Sequence, residues 1–172
     1  MAIAGIDTRE IDKMLKDLKS GLADGAVRGV KAGWLTSTEY KQTQKDMDDG
    51  KVPTKIADVA LWNNFGTERI PARPFLNDAQ RHAGPVMENR LKTYMEAGFT
   101  LDRIAKLLKL DLGEILKSEI EYGTFEPNAE STIRAKGGST HPLIDTGQLI
   151  NSIHATVIRA HGEDTPVKIT KD

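Results

Sequence analysis

The sequence predicts an α+β fold in which a small, mainly antiparallel sheet packs against long helices. Two strand-like runs, near residues 27 to 35 and 152 to 159, stand far apart, and the chain between them carries two long stretches of helical spacing, 74 to 97 and 100 to 122. The helices therefore form a central insertion that folds back over the sheet. A length of 172 residues suits a single domain with a real core, while 38% hydrophobic and 5% aromatic residues keep that core modest and leave room for stability gained by assembly.

Thr8 or Asp7 can cap a first helix over about residues 8 to 22, where Ile11, Met14, Leu15, Leu18 and Leu22 recur at helical spacing. Gly21 and Gly25 punctuate its end. Ala26 to Leu35, with Val27, Val30, Trp34 and Leu35 among small residues, reads as strand. Thr36 to Thr54 carries Asp46, Asp48, Asp49 and Gly50 before Pro53, and reads as an exposed, flexible loop that orders on assembly. Ile56, Val59, Ala60 and Trp62 to Phe65 then form a short helix ending near Gly66.

A helical pattern restarts at Pro74, and Pro85 should divide it with a break or kink at Ala83 and Gly84, because proline cannot donate to a helix interior. Met87, Leu91, Tyr94 and Met95 would share one face of the second piece, which Gly98 ends. Leu101, Ile104, Leu108, Leu112, Ile115 and Ile120 mark the strongest helical region, with Gly113 bending or dividing it and Gly123 closing it. Thr124 to Thr140 is a polar loop with one helical turn around 129 to 135. Asp145 caps a short helix from Thr146 to Asn151, Ser152 to Arg159 alternates as a strand, and Val167 to Thr170 makes a final edge strand. There is no internal repeat, heptad series or low-complexity tract.

Lys and Arg total 24 against 25 Asp and Glu, so the formal charge of −1 argues against a dedicated nucleic-acid or anionic-membrane binder. The absence of cysteine removes disulfides and thiolate chemistry and fits synthesis in a cytoplasm. Met1 to Ile11 lacks the pattern of a signal peptide, and no apolar run approaches membrane-spanning length, so the expectation is a soluble, unsecreted protein.

Residues suited to catalysis are present without the spacing that catalysis needs. His82, His141, His154 and His161 are scattered, so no metal and no other cofactor is expected. Ser152, His154 and Asp145 supply the residue types of a hydrolase triad but lack a nucleophile elbow. Asp145-Thr146-Gly147 occurs once, where an aspartic protease needs two carboxylates, and capping is the plainer use. Residues 101 to 120 resemble a helix-turn-helix superficially, yet Glu114, Glu119 and Glu121 against Lys117 would repel phosphate.

The most informative stretch is Trp62 to Leu76, which concentrates aromatic, Gly and Pro punctuation around two arginines. Gly66 lets the backbone turn, Pro71 and Pro74 stiffen it, and the composition suits a rigid contact surface. Trp62, Phe65, Arg69, Arg73 and Phe75 are the candidate interaction residues. Arg69 and Arg73 either fork onto carboxylates across a subunit boundary or pin their own loop.

The Asn-Asn-Phe-Gly-Thr and Ile-Pro-Ala-Arg-Pro-Phe-Leu segments of this stretch resemble tailed-phage virion-morphogenesis proteins, the tail-completion or neck proteins of the HK97 gp10-like family. Phe125-Glu126-Pro127-Asn128 with Thr132, and Pro142 to Ile153, are similar to later blocks of the same family in matching order. Asn64 departs from the pattern, which has glutamate there, so no ion pair is carried over from that position. The resemblance implies the same α+β architecture and a non-enzymatic virion component at the head-to-tail junction, made in the host bacterial cytoplasm. It further implies a homo-oligomeric ring, a hexamer like related tail-end rings, with the head-tail connector, tail terminator or tail tube as partners. The alternative from another class is a cytoplasmic DNA-binding regulator using residues 101 to 120, and a third is a small hydrolase using Ser152 or Asp145.

Overall fold

Small and β-branched residues at Val27–Gly33 form β1, and the alternating run His154–Arg159 forms β2. They pair antiparallel with Val30 opposite Val157 and Ala32 opposite Ala155, so these side chains share a face while Lys31 and Thr156 occupy the other. The computed structural model describes residue 16 and residues 26–42 and 47–170; apart from Lys16, the helix expected at 8 to 22 lies outside them. Two short strands, β3 (Gly162–Glu163) and β4 (Val167–Lys168), pair with the other edge of β2, which completes a four-stranded antiparallel sheet with β1 at one margin.

Among the described residues five helices accompany the sheet: α1 (Ile56–Phe65), α2 (Phe75–Glu96), α3 (Leu101–Tyr122), α4 (Glu130–Ala135) and α5 (Gln148–Asn151). The fold class is therefore α+β. Thr100 caps α3 by accepting from the Arg103 amide, and the helix lies across β1 and β2. After the turn at Gly98, α3 runs back along α2, where Tyr94 Oη donates to Asp111 Oδ2 at 3.0 Å and His82 Nδ1 meets Glu119 Oε2 at 2.8 Å. Phe75, Leu116, Ile120, Ile153 and Ala155 make the centre of the core, and Trp34 meets Phe75 edge-on at 6.0 Å between ring centroids.

Arg159 ties the ends of three elements together. Its guanidinium donates to Asp164 at 2.5 and 2.8 Å and to Asp102 Oδ1, in the first turn of α3, at 2.7 Å. These bonds, Asp164 first, raise the guanidinium's pKa, while Arg159 holds the Asp164 carboxyl below its usual range. Lys106 first, and then Arg159, do the same for Asp102.

Three expectations need correction. Pro85 does not divide α2, which is continuous from Phe75 to Glu96; Arg81, Gly84 and Pro85 are all exposed, so the break in the helix's bonding falls on its solvent side, where it costs least. Gly113 does not bend or divide α3. It is buried because a Cβ there would lie 2.5 Å from Ile169 Cγ1, so glycine admits the C-terminal segment against the helix. As expected of a structural helix, residues 101 to 120 run unbroken, with Lys109 and Lys117 buried. Asp145 is exposed and does not cap α5, whose N-terminus is Gly147 with φ 73°.

The excursion from 36 to 54 is also less detached than its composition suggests. Tyr40 N donates to Thr54 O at 2.9 Å, Ile56 N to Thr38 O at 2.9 Å, and Gln42 Nε2 to Lys51 O at 2.6 Å, while Tyr40 packs against the core. Its base is a stitched pair of extended segments; Val52 is exposed within that base and Met47 is exposed outside it.

Gly113→Ala should lower stability by about 1 to 2 kcal/mol, although alanine ordinarily favours a helix by about 1 kcal/mol over glycine. Combining it with Ile169→Ala should cost less than the two single losses added together, as thermal or denaturant unfolding would measure.

Candidate functional site

The Gly66 to Pro74 loop is shaped by contacts that begin at its first residue. Gly66 has φ 78°, and a Cβ there would sit 2.9 Å from the Ala72 nitrogen and 3.0 Å from the Ile70 oxygen, so no other residue closes this turn unstrained. Thr67 N donates to Ile70 O at 2.8 Å, and Thr67 Oγ1 accepts from the amides of Arg69 and Ile70 at 3.2 and 3.1 Å. Arg73 N then returns to Asn63 O at 2.7 Å, which fastens the loop to the last turn of α1.

The side chain of Arg73 is 4% exposed and spends its donors inside the subunit. Nε donates to Glu126 O at 3.1 Å, Nη1 to Asn63 Oδ1 at 3.3 Å and Nη2 to Asn128 Oδ1 at 3.1 Å. The network continues outward. Asn128 Nδ2 and Lys136 Nζ both donate to His141 O, at 3.2 and 2.6 Å, and His141 Nε2 donates to Glu121 O at 2.8 Å. Asn64, 2% exposed, accepts from the Leu76 amide at 2.9 Å and donates to Asn77 Oδ1 at 3.2 Å, so it serves the first turn of α2 from the preceding helix.

Two of the five candidate interaction residues are thereby corrected. Phe75 is 0% exposed at the centre of the core, and Arg73 binds a carbonyl and two amide oxygens instead of a carboxylate across a boundary. Both are scaffold, because the short Pro74 link directs them inward as α2 begins. Trp62, Phe65 and Arg69 remain at the surface, with Trp62 45% and Phe65 69% exposed and Leu61 beside them.

Around Arg73 the loop, the 128 to 136 segment and the 142 to 149 segment enclose a cleft of about 730 Å³. Tyr40, Trp62, Ile70, Leu143 and Leu149 give it apolar lining. Burial first, and then the Asp145 charge, push the Tyr40 hydroxyl up to about 12. Burial lowers the pKa of Lys136, the Arg73 charge acts the same way, and Asp145 opposes both.

The remaining catalytic residue types do not converge. Ser152 Oγ donates to Gln148 O at 2.5 Å and to Leu149 O at 3.2 Å, closing the end of α5, while His154 Nδ1 donates to the Ser152 carbonyl at 2.8 Å and not to its hydroxyl. Among the described residues no group of three or more His, Cys, Asp or Glu is placed to hold a metal, and no helix is long and apolar enough to cross a membrane. No protein-family model matches the chain, and no curated protein or solved structure matches it.

Sequence reasoning missed Tyr40, Lys41, Asn63, Asn128 and Lys136 as parts of this site. The Asn63-Asn64 pair beside the aromatics was a usable signal, since paired amides at a helix end serve backbone groups that the helix leaves open.

Arg73→Ala should destabilise the subunit by about 2 to 4 kcal/mol in chemical denaturation, and Arg73→Lys should recover little, because one ammonium cannot reach three separated acceptors. Tyr40 gives a pH signature. A tyrosine raised from its ordinary value contributes stability that is fully present below about pH 10 and is lost as pH rises toward its folded value. Ultraviolet titration should show a tyrosine ionising near 12, absent in Tyr40→Phe, and that variant should lose less stability between pH 10 and 12.

Proposed function

We propose that this chain is a non-enzymatic structural protein of the tailed-phage head-to-tail junction, a neck or tail-completion subunit that assembles into a homo-oligomeric ring. The observation that carries the reading is the meeting of its three resemblance blocks around one cleft, where Arg73 joins the first to the second and the third forms the facing wall. Residues that share a pattern with a morphogenesis family are thus used together to hold one surface in shape. That surface carries Trp62 and Phe65 exposed on a helix whose far end is locked by the Gly66 turn, which suits docking of a large partner. Beneath it the side chains of Arg73, Asn63 and Asn128 are bound to one another, as a scaffold requires.

A ring of six copies, with connector, terminator or tube proteins as neighbours in the virion, extends the same reading. Trp62→Ala and Phe65→Ala should leave the subunit folded, with unchanged helical signal, and weaken assembly by about thirtyfold where either side chain anchors the interface. Light scattering and electron microscopy of the purified chain, alone and with head or tail proteins, test this. A monomer under both conditions would overturn the proposal.

A further inference from the structure

Two cations lining the cleft, Arg73 and Lys136, bond only neutral acceptors among the described residues: the backbone carbonyls of Glu126 and His141 and the side-chain oxygens of Asn63 and Asn128. Their positive charges are therefore held without an ion pair. Glu126 acts on Arg73, and Asp145 on Lys136, as charges at a distance and not as hydrogen-bond partners. Burial lowers the pKa of both cations, and the Arg73 charge lowers that of Lys136 further. Two partly desolvated cations that repel each other gain from an anion placed between them.

Donors remain for that anion. A guanidinium carries five N–H groups, of which Arg73 uses three, and an ammonium carries three, of which Lys136 uses one. Arg69, exposed in the same lining, adds charge of the same sign, whereas Lys51 is answered by Asp49 at 4.0 Å and adds none. Asp145 is the one carboxylate in the lining. Trp62, Ile70, Leu143 and Leu149 make the rest of the wall apolar. An occupant that answers both features carries a carboxylate and an apolar side chain on one carbon, as the last residue of a polypeptide does when it is apolar. An aspartate or glutamate side chain brings the carboxylate alone, and phosphate brings charge with nothing for the walls.

We propose that the cleft is a binding site for the C-terminal carboxylate of a partner polypeptide that ends in an apolar residue, with the carboxylate between Arg73 and Lys136 and the terminal side chain against Ile70 and Leu143. All of these residues come from one subunit, so the site goes beyond the ring reading and does not depend on it.

Calorimetric titration of the full chain with a short acetylated peptide ending in leucine should show saturable binding, about tenfold or more tighter than the same peptide with an amidated C-terminus or with serine as its last residue. Lys136→Met should weaken binding about tenfold, and Lys136→Arg should retain it. Asp145→Asn should tighten binding about threefold, because it removes the competing negative charge from the lining. Lys136→Met also loses the bond to His141 O, so its fold is checked by circular dichroism; Asp145 is exposed, and a purely structural role for the two cations predicts no tightening when its charge is removed. Equal affinity for the amidated peptide, equal affinity for a peptide with an internal aspartate and an amidated end, displacement by inorganic phosphate at the peptide's own concentration, or no binding by the unmodified chain would each overturn the site. A chain that forms a ring but does not bind the peptide overturns this inference alone, and one that binds the peptide but stays monomeric with its partners overturns the ring alone.

Discussion

The fork of Arg73 holds in place a surface drawn from parts of the chain that are more than fifty residues apart, reaching 53 residues to Glu126 and 55 to Asn128. A buried guanidinium is costly to desolvate, and the cost is offset only when its donors are taken up at good geometry. Here a backbone carbonyl and two asparagine amides do this, and the second asparagine passes the connection on to His141. The α1 end, the 126 to 128 segment and the start of α2 are all positioned from this point. The planar fork explains why arginine and not lysine occupies it.

Burying the arginine separates two jobs that the sequence places side by side. Arg73 and Phe75 turn inward to fix the start of α2, while Trp62, Phe65 and Arg69 stay outside on the end of α1 and the loop. The surface is rigid because its neighbours in sequence are its foundation. A rigid surface loses less conformational freedom when it docks.

Much of the fold was legible because its signals are local. The spacing in α3, the Gly98 and Gly123 stops and the alternation in β2 all depend on neighbouring residues, and the structure places those elements close to where the spacing does. The features that were not legible depend on contacts across the chain. Nothing near Gly113 says that Ile169 lies against it, and nothing near Pro85 says that its orphaned carbonyl faces solvent. The candidate site divides the same way. Gly66 and the prolines announced a shaped loop, but whether an arginine in that loop faces out or in is decided by Asn63, Glu126 and Asn128, two of which lie beyond both long helices.

The register of the sheet sets the order in which the chain is able to fold. Val27 pairs with Arg159, so β1 has no partner until almost all of the described chain has left the ribosome. The α2–α3 hairpin, made of near neighbours, forms early by comparison, since short loops close at less entropic expense than long ones. From the making of Tyr122 until Arg159 follows, the hairpin therefore waits without the platform on which α3 will rest, its Leu116 and Ile120 still uncovered. A strand with an unpaired margin during that interval is exposed to wrong partners. The bulge between Val27 and Gly29, and the charge of Lys31, make β1 a poor template for them, so the irregularity at one end of the sheet protects the nascent chain as much as it shapes the finished one.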